Sequence, residues 1–321
     1  MARRLPIRHR TGRCALAGAL AILLVVATGC SPARESSSSK APVGGLCPVP
    51  PIDVVVSVDQ WGDLVEQLAG SCAHVTSIVA GGSVDPHDYE PTPADASAMA
   101  KADLIVINGV GYDEWAQRAI DARSPRPAVL DIGGRSDVPA GGDPHLWYAP
   151  GVVRFALDDI TNMLGSTSPG ATEFFAARSA DVKDSMSEYF DTIGRLRSEF
   201  QNAQGGAATY AATEPVFDAM ATAVGMVDVT PPGFARAMSN EGEPSPGDIA
   251  RFMDALADGS VGVLIVNLQS SSSMTDRLRE QAKTHGVPIV EVTETLAPDA
   301  ASFQEWQVGQ LQMLESALGF S

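Results

Sequence analysis

The apolar positions of this chain fall into short runs that alternate with segments of helical spacing. Val54 to Val58 is an almost unbroken apolar run of strand length. Behind it Trp61, Leu64, Val65 and Leu68 recur at steps of three and four, which predicts a helix that Gly70 ends. Val75 to Val79 predicts a second strand. Thr92-Pro93 opens a short helix, with Thr92 as cap, proline at the first position and Asp95 three residues after the cap. Leu104 to Ile107 and Val129 to Ile132 predict a third and a fourth strand. Strands alternating with helices imply a parallel sheet in an α/β unit.

The middle of the chain has a different rhythm. Pro150 opens a helix that runs to about Leu164. From Ala171 to Phe200 the positions Phe175, Val182, Met186, Tyr189, Ile193, Leu196 and Phe200 keep a three-four pattern. Thirty helical residues reach roughly 45 Å, enough to cross a whole protein. We read this segment as a backbone helix joining two lobes; the alternative is one seam of a coiled-coil dimer. Alternation then resumes. Ala207 to Ala211, Val261 to Val266 and Val287 to Val292 predict strands, and Val216 to Val224 a helix stopped by Gly225. Ser245-Pro246 starts a helix bearing Ile249, Phe252, Met253 and Leu256, and Ser302 with Glu305 predicts a capping box before the last helix. The expected organisation is a signal segment over 1–29, a tether over 30–50, an α/β lobe over 51–165, a linking helix over 166–204 and a second α/β lobe over 205–321. Two parallel-sheet lobes of this kind face each other across a cleft.

The amino terminus is read as an export signal. Arg3, Arg4, Arg8, Arg10 and Arg13 precede an apolar stretch from Cys14 to Ala27, short for a membrane span. It ends in Ala27-Thr28-Gly29-Cys30, which resembles the bacterial lipobox, so Cys30 is the expected lipidation site. Leu is the usual residue where Ala27 stands. The alternative is an ordinary signal peptide that contains a cysteine, but polar residues 31–40 follow at once as a tether. The expected location is the extracytoplasmic face of the cell membrane, held by lipid.

Charge and cysteine content narrow the partners. The formal net charge is −17, and removing the five arginines of the first 29 residues leaves the rest near −22. Such a body argues against nucleic acid and suits a cation, although solubility alone explains it as well. Once Cys14 is removed and Cys30 acylated, Cys47 and Cys72 remain, and an oxidising compartment favours their pairing over two buried free thiols.

Four histidines follow the signal segment. His74 at a strand start and His285 at a helix end read as structural. His87 and His145 each close an Asp-Pro-His loop after a strand, where open α/β sheets gather their ligands. The aspartates at 85 and 143 are placed to orient the rings. Glu214 and Glu294 follow strands of the second half; taken singly, each is an ordinary solvated loop acid. The four together, two from each half, make a set for a divalent cation.

The runs VVVSVDQWGDLVEQLAG, DPHDYEPTPADASAMAKADLIVINGVGYDEW and DPHLWY resemble the zinc- and manganese-type solute-binding lipoproteins of bacterial ABC importers, and the similarity extends from about Val54 to Leu318. The resemblance implies two α/β lobes joined by one long helix, with a transported zinc or manganese ion between them. It implies His87 and His145 as the first two ligands. It implies Glu214 as the third, where manganese-type members carry Glu and zinc-type members usually His. Glu294 stands where the family usually has Asp. No histidine lies between Trp115 and Asp143, so the His-rich loop of many zinc-type members is absent. Glu214 leans the set toward manganese, while the general order of affinities favours zinc. The implied partners are the permease and ATP-binding subunit of an importer, with the binding protein acting as a monomer. The alternatives are a secreted metal-dependent hydrolase, in which Glu214 or Glu294 serves as base, and an adhesin-like surface lipoprotein.

Overall fold

The structure, a computed structural model, describes residues 45–81, 89–139, 141–202, 208–240, 242–270, 272–297 and 300–320. The signal segment, Cys30 and the first Asp-Pro-His loop with His87 lie outside these residues. Among the described residues, no helix is long and apolar enough to cross a membrane.

In the first half β1 (Ile52–Val58) runs into α1 (Asp59–Ala69) and returns as β2 (Ala73–Val79). α2 (Pro93–Lys101) leads to β3 (Leu104–Ile107), and α3 (Glu114–Asp121) to β4 (Ala128–Asp131). Thr92 and Asp95 cap α2 reciprocally, side chain to backbone in both directions. The strands are parallel in the order β2-β1-β3-β4, with Val54 opposite both Val75 and Leu104. All of β3 and β1 from Val54 on are buried, because central strands of a parallel sheet are covered on both faces.

α4 (Pro150–Thr167), α5 (Thr172–Ser185) and α6 (Ser187–Asn202) follow. The second half then holds β5 (Thr209–Ala212), α7 (Asp218–Ala223), β6 (Val227–Asp228), α8 (Pro232–Met238), α9 (Pro246–Asp258), β7 (Val263–Asn267), α10 (Ser273–His285), β8 (Ile289–Val292) and α11 (Phe303–Leu318). Among the described residues its sheet is also four-stranded and parallel, in the order β6-β5-β7-β8, which repeats the order of the first sheet. Ser302 accepts from the Glu305 N–H as a cap, but the Glu305 carboxylate accepts from Ala301 instead of Ser302, so the expected box is only half closed.

The linking segment is helical from Thr172 to Asn202 with one interruption, at Met186. The Met186 N–H still donates to Val182 at 3.0 Å and the Phe190 N–H to Met186 at 3.2 Å, so the axis continues. The Ser185 hydroxyl bonds the Val182 carbonyl beside it, which loosens that turn. The interruption falls where the helix changes neighbours: α5 packs on α1 and α4, and α6 packs on α11.

One apolar core runs through both sheets, from Val54, Trp61 and Leu104 to Phe217, Trp306 and Leu311. Tyr148 sits at its centre, with its ring 5.3 Å from Phe217 and 5.7 Å from Trp306. Each fully buried side chain of this size contributes about 1.5–3 kcal/mol, so the lobes are joined by packing as well as by chain. Phe234, Phe252, Leu256 and Leu278 form a separate cluster on the outer side of the second sheet. Cys47 and Cys72 form a disulfide with Cα atoms 5.0 Å apart, at the amino-terminal ends of β1 and β2.

Candidate metal centre

Each sheet has one crevice where the strand order changes direction, between β1 and β3 and between β5 and β7. Ligands of open α/β sheets collect beyond the carboxyl ends of the strands at such points. Here those ends carry Gln60, Asn108, Glu214 and Asn267, while the loops after β4 and β8 carry His145 and Glu294.

The second lobe supplies the carboxylates. Glu294 is 1% exposed. Its Oε1 accepts from Asn267 Nδ2 at 2.7 Å, and its Oε2 accepts from the Tyr112 hydroxyl of the first lobe at 2.8 Å. Its backbone is pinned as well: the N–H donates to Gln269 Oε1 at 2.6 Å and the carbonyl accepts from Gln60 Nε2. Glu214 Oε2 accepts from the same Asn267 amide at 2.7 Å. Burial raises the Glu214 carboxyl above its ordinary range, and the nearby Glu294 charge adds to this. Burial likewise lifts Asp218, beside Glu214, to about 7.

The first lobe supplies the imidazole. His145 is 5% exposed and heads the 3-10 turn Leu146–Tyr148. Asp143 Oδ1 accepts from the His145 backbone N–H at 3.0 Å and lies 2.6 Å from ring Nδ1. A carboxylate on one ring nitrogen fixes the orientation and leaves the other facing a ligand. That nitrogen, Nε2, faces Glu294 Oε2 at 3.6 Å. Burial pulls the imidazolium down, but the bonds to Asp143 and Glu294 outweigh it and push it up to about 10. The surroundings of His145 therefore stabilise positive charge.

The loop carrying His145 is held by Asn108, whose Nδ2 donates to the Pro144 carbonyl at 2.9 Å. Tyr112 is delivered by a tight turn in which Gly109, Val110 and Gly111 take φ of 80°, 55° and 88°. A Cβ on Gly109 would lie 2.1 Å from Asp131 Oδ1, so only glycine fits there. A β-branched residue in the left-handed region costs on the order of 1–3 kcal/mol, here offset by Asp113, which accepts from the N–H groups of Asn108 and Gly109 at 2.6 and 2.9 Å. The rings of His145, Tyr112 and Trp147 meet edge to face, with centroids 5.1–6.1 Å apart.

Of the four sequence-predicted ligands, the structure brings His145 to 3.6 Å from Glu294 and ties Glu214 to Glu294 through the Asn267 amide; His87 lies outside the described residues. Among the described residues, no three His, Cys, Asp or Glu side chains converge as a metal-holding group. A groove of about 740 Å³ lined by Glu188, Gln304 and Met313 contains none of the candidate ligands.

The family model for the periplasmic component A of the zinc-uptake complex matches residues 54–317. The chain belongs to this family. It is 26% identical over 257 residues to the manganese-binding lipoprotein MntA of Halalkalibacterium halodurans, covering 78% of this chain and 80% of the relative. It is 23% identical over 321 residues to the high-affinity zinc uptake system protein ZnuA of Bacillus subtilis, covering 94% and 93%. Among solved structures it is similar to the periplasmic zinc-binding protein TroA of Treponema pallidum, with a TM-score of 0.70 and 18% identity over 84% of this chain and 99% of that one. At that identity the structural likeness speaks for the fold alone.

Within this zinc-uptake family chain, sequence reasoning missed Tyr112, Asn108 and Asn267. Tyr112 reaches Glu294 across 182 positions, which no local pattern reports. The two asparagines did leave a signal: each closes a buried apolar strand, LIVI then Asn108 and VLIV then Asn267. A polar side chain at the carboxyl end of a fully buried strand points to the ligand crevice.

Proposed function

We propose that this protein is an extracytoplasmic solute-binding lipoprotein that captures a divalent transition metal, zinc or manganese, and delivers it to the permease and ATP-binding subunit of an ABC importer. Membership of the zinc-uptake family supports this reading and leaves the hydrolase and adhesin alternatives without support. The observation that carries the site is the approach of the His145 imidazole to the buried Glu294 carboxylate of the opposite lobe, with Glu214 bonded to the same Asn267 amide as Glu294, in surroundings that favour positive charge. His145, Glu214 and Glu294, with His87, are the proposed ligands. Imidazole with carboxylate favours a first-row divalent ion over calcium or magnesium, which prefer oxygen alone. The core shared by the lobes restricts closure to a small movement. Cys30 carries the lipid anchor, the tether over 30–50 spaces the lobes from the membrane, and the protein acts as a monomer.

The test is a titration of chelator-stripped protein with zinc and with manganese. One equivalent should bind and raise the melting temperature. The His87→Ala, His145→Ala double variant should lose that response; retention of one tightly held equivalent would reject the assignment. Elemental analysis of protein purified from its own host identifies the cargo, and Cys30→Ala should release the protein from the membrane or leave it unprocessed.

A further inference from the structure

Four polar side chains of α1 reach across to the second lobe, and all of them meet the chain between Glu294 and Gln304. Asp59 Oδ1 accepts from the Leu296 N–H at 3.3 Å, and Gln60 Nε2 donates to the Glu294 carbonyl. Asp63 Oδ2 accepts from the Phe303 N–H at 2.8 Å, and Gln67 Oε1 accepts from Gln304 Nε2 at 2.9 Å. Asp59, Asp63 and Gln67 follow at steps of four and so share one face of the helix. The two ends of this seam differ. Asp63 and Gln67 meet the start of α11, whereas Asp59 and Gln60 hold the backbone of the loop that carries Glu294. The second oxygen of Asp59, Oδ2, accepts from the Gly81 N–H at 2.9 Å, so one carboxylate joins the loops that follow β2 and β8. Burial, with the charge of Asp63 beside it, lifts the Asp59 carboxyl to about 6, so at neutral pH it is ionised and both oxygens accept. Gln60 is fully buried.

We propose that Asp59 and Gln60 are positioning residues for metal capture, which fix the Glu294 loop of the second lobe against the first and so hold its carboxylate opposite His145. This rests on the reading of Glu294 as a ligand. Glu294 has to meet an imidazole contributed by the other lobe, with 3.6 Å between Oε2 and Nε2. The bonds from Asn267 and Gln269 fix it relative to its own sheet. The bonds from α1 fix it relative to His145. α1 continues directly from β1, β1 pairs with β3, and Asn108 at the end of β3 holds the His145 loop. The Tyr112 hydroxyl also crosses between the lobes, but it grips the carboxylate, which has to adjust to the ion, while Asp59 and Gln60 grip the backbone. Ligands set in place during folding bind more tightly than ligands that the ion has to assemble, because the ordering cost is already met.

The experiment uses the full chain stripped of metal. Asp59→Asn leaves one carbonyl oxygen where two carboxylate oxygens served two N–H groups. Gln60→Met removes the donor to the Glu294 carbonyl. Asp63→Ala is the control, since it breaks the same seam at α11, away from the Glu294 loop. Zinc and manganese affinities are measured by chelator competition well below the melting temperature, and the absorption bands of bound cobalt(II) report the geometry of the ligand set. Asp59→Asn and Gln60→Met should each weaken both ions by about tenfold or more and shift the cobalt bands. Asp63→Ala should lower the melting temperature and keep wild-type affinity and bands. A merely structural role lowers the melting temperature in all three variants and moves neither affinity nor bands. Wild-type affinity and bands in folded Asp59→Asn, or an equal loss in Asp63→Ala, overturn the proposal. If Asp59→Asn does not fold, Gln60→Met decides on the same two criteria. Wild-type affinity in Glu294→Ala overturns the ligand reading itself, and the role of α1 with it.

Discussion

In the first lobe β3 is followed by Asn108; in the second, β7 ends at Asn267. Both backbone N–H groups donate at 3.3 Å to a hydroxyl of the neighbouring central segment, Ser57 in one lobe and Thr213 in the other. The side chains are spent differently. Asn108 Nδ2 donates to the carbonyls of Gly109 and Pro144, so it fixes the backbone of the loop that carries His145, and Asp143 orients the ring. Asn267 Nδ2 donates to the carboxylates themselves. The same scaffold position thus fixes a loop backbone in the first lobe and bonds carboxylate side chains directly in the second.

The comparison is broken most severely by removing His145, the proposed ligand of the first lobe. His145→Ala should weaken zinc and manganese binding by more than the roughly 100-fold that loss of a supporting partner costs. Chelator competition measures this, and a variant still within tenfold of wild type would mean that His145 is not a ligand. Next in size is Asn108→Ala, which loosens the Pro144 carbonyl without touching a carboxylate. Both ions should lose affinity alike, by about 10–100-fold, with their ratio unchanged. The same variant removes the acceptor of the buried Trp61 N–H and should cost about 1–3 kcal/mol of stability in denaturant melts. A shift in the zinc-to-manganese ratio here would mean that Asn108 does more than hold the loop of His145.

Much of this scaffold was legible in the sequence, because its signals are local. The stops at Gly70 and Gly225 take positive φ, and the caps at Thr92 and Ser245 accept from the N–H three residues on. That both sheets are parallel followed from the alternation of strands and helices. What escaped has weak or remote causes. α3 puts Trp115, Ala116 and Ile120 on one face but is only 8 residues long, and β6 is two exposed residues with no apolar period. The Asp143 contact to His145 spans two residues and was readable, whereas Tyr112 and Asn267 act on partners that only the folded chain brings near.

A smaller effect separates the lobes by protonation. His145 is raised from 6.5 to about 10, because its bonds to Asp143 and Glu294 outweigh burial. Its stabilising contribution to the metal-free protein is complete below the unfolded value and is lost as pH rises toward 10. Metal binding has the opposite sign, since the ligand form is neutral and a proton must leave. Affinity should therefore rise about tenfold per pH unit between about pH 7.5 and 9. Proton release measured by calorimetry in buffers of different ionisation enthalpy checks the stoichiometry, and a flat affinity across that window would show that His145 is already neutral before the metal arrives.

The smallest effect on the metal should come from the disulfide, which the first lobe has and the second, with no cysteine, does not. Cys47 and Cys72 lie where β1 and β2 begin, with Ile52 opposite Ala73, while the candidate ligands gather where the strands end. Seven strand residues at about 3.3 Å each separate the two ends of the sheet by roughly 20 Å. The bond closes a loop across a sequence separation of 25, so its loss should cost roughly 3 kcal/mol through the freedom returned to the unfolded chain. Cys47→Ser, Cys72→Ser should accordingly melt at lower temperature yet bind zinc and manganese with wild-type affinity. The disulfide would then serve the lobe whose ligand sits on a long loop, by stiffening the edge of its sheet and leaving the crevice alone. A double variant that keeps its melting temperature but loses metal affinity would reverse that assignment, because the two ends of β1 and β2 would have to be coupled through the sheet.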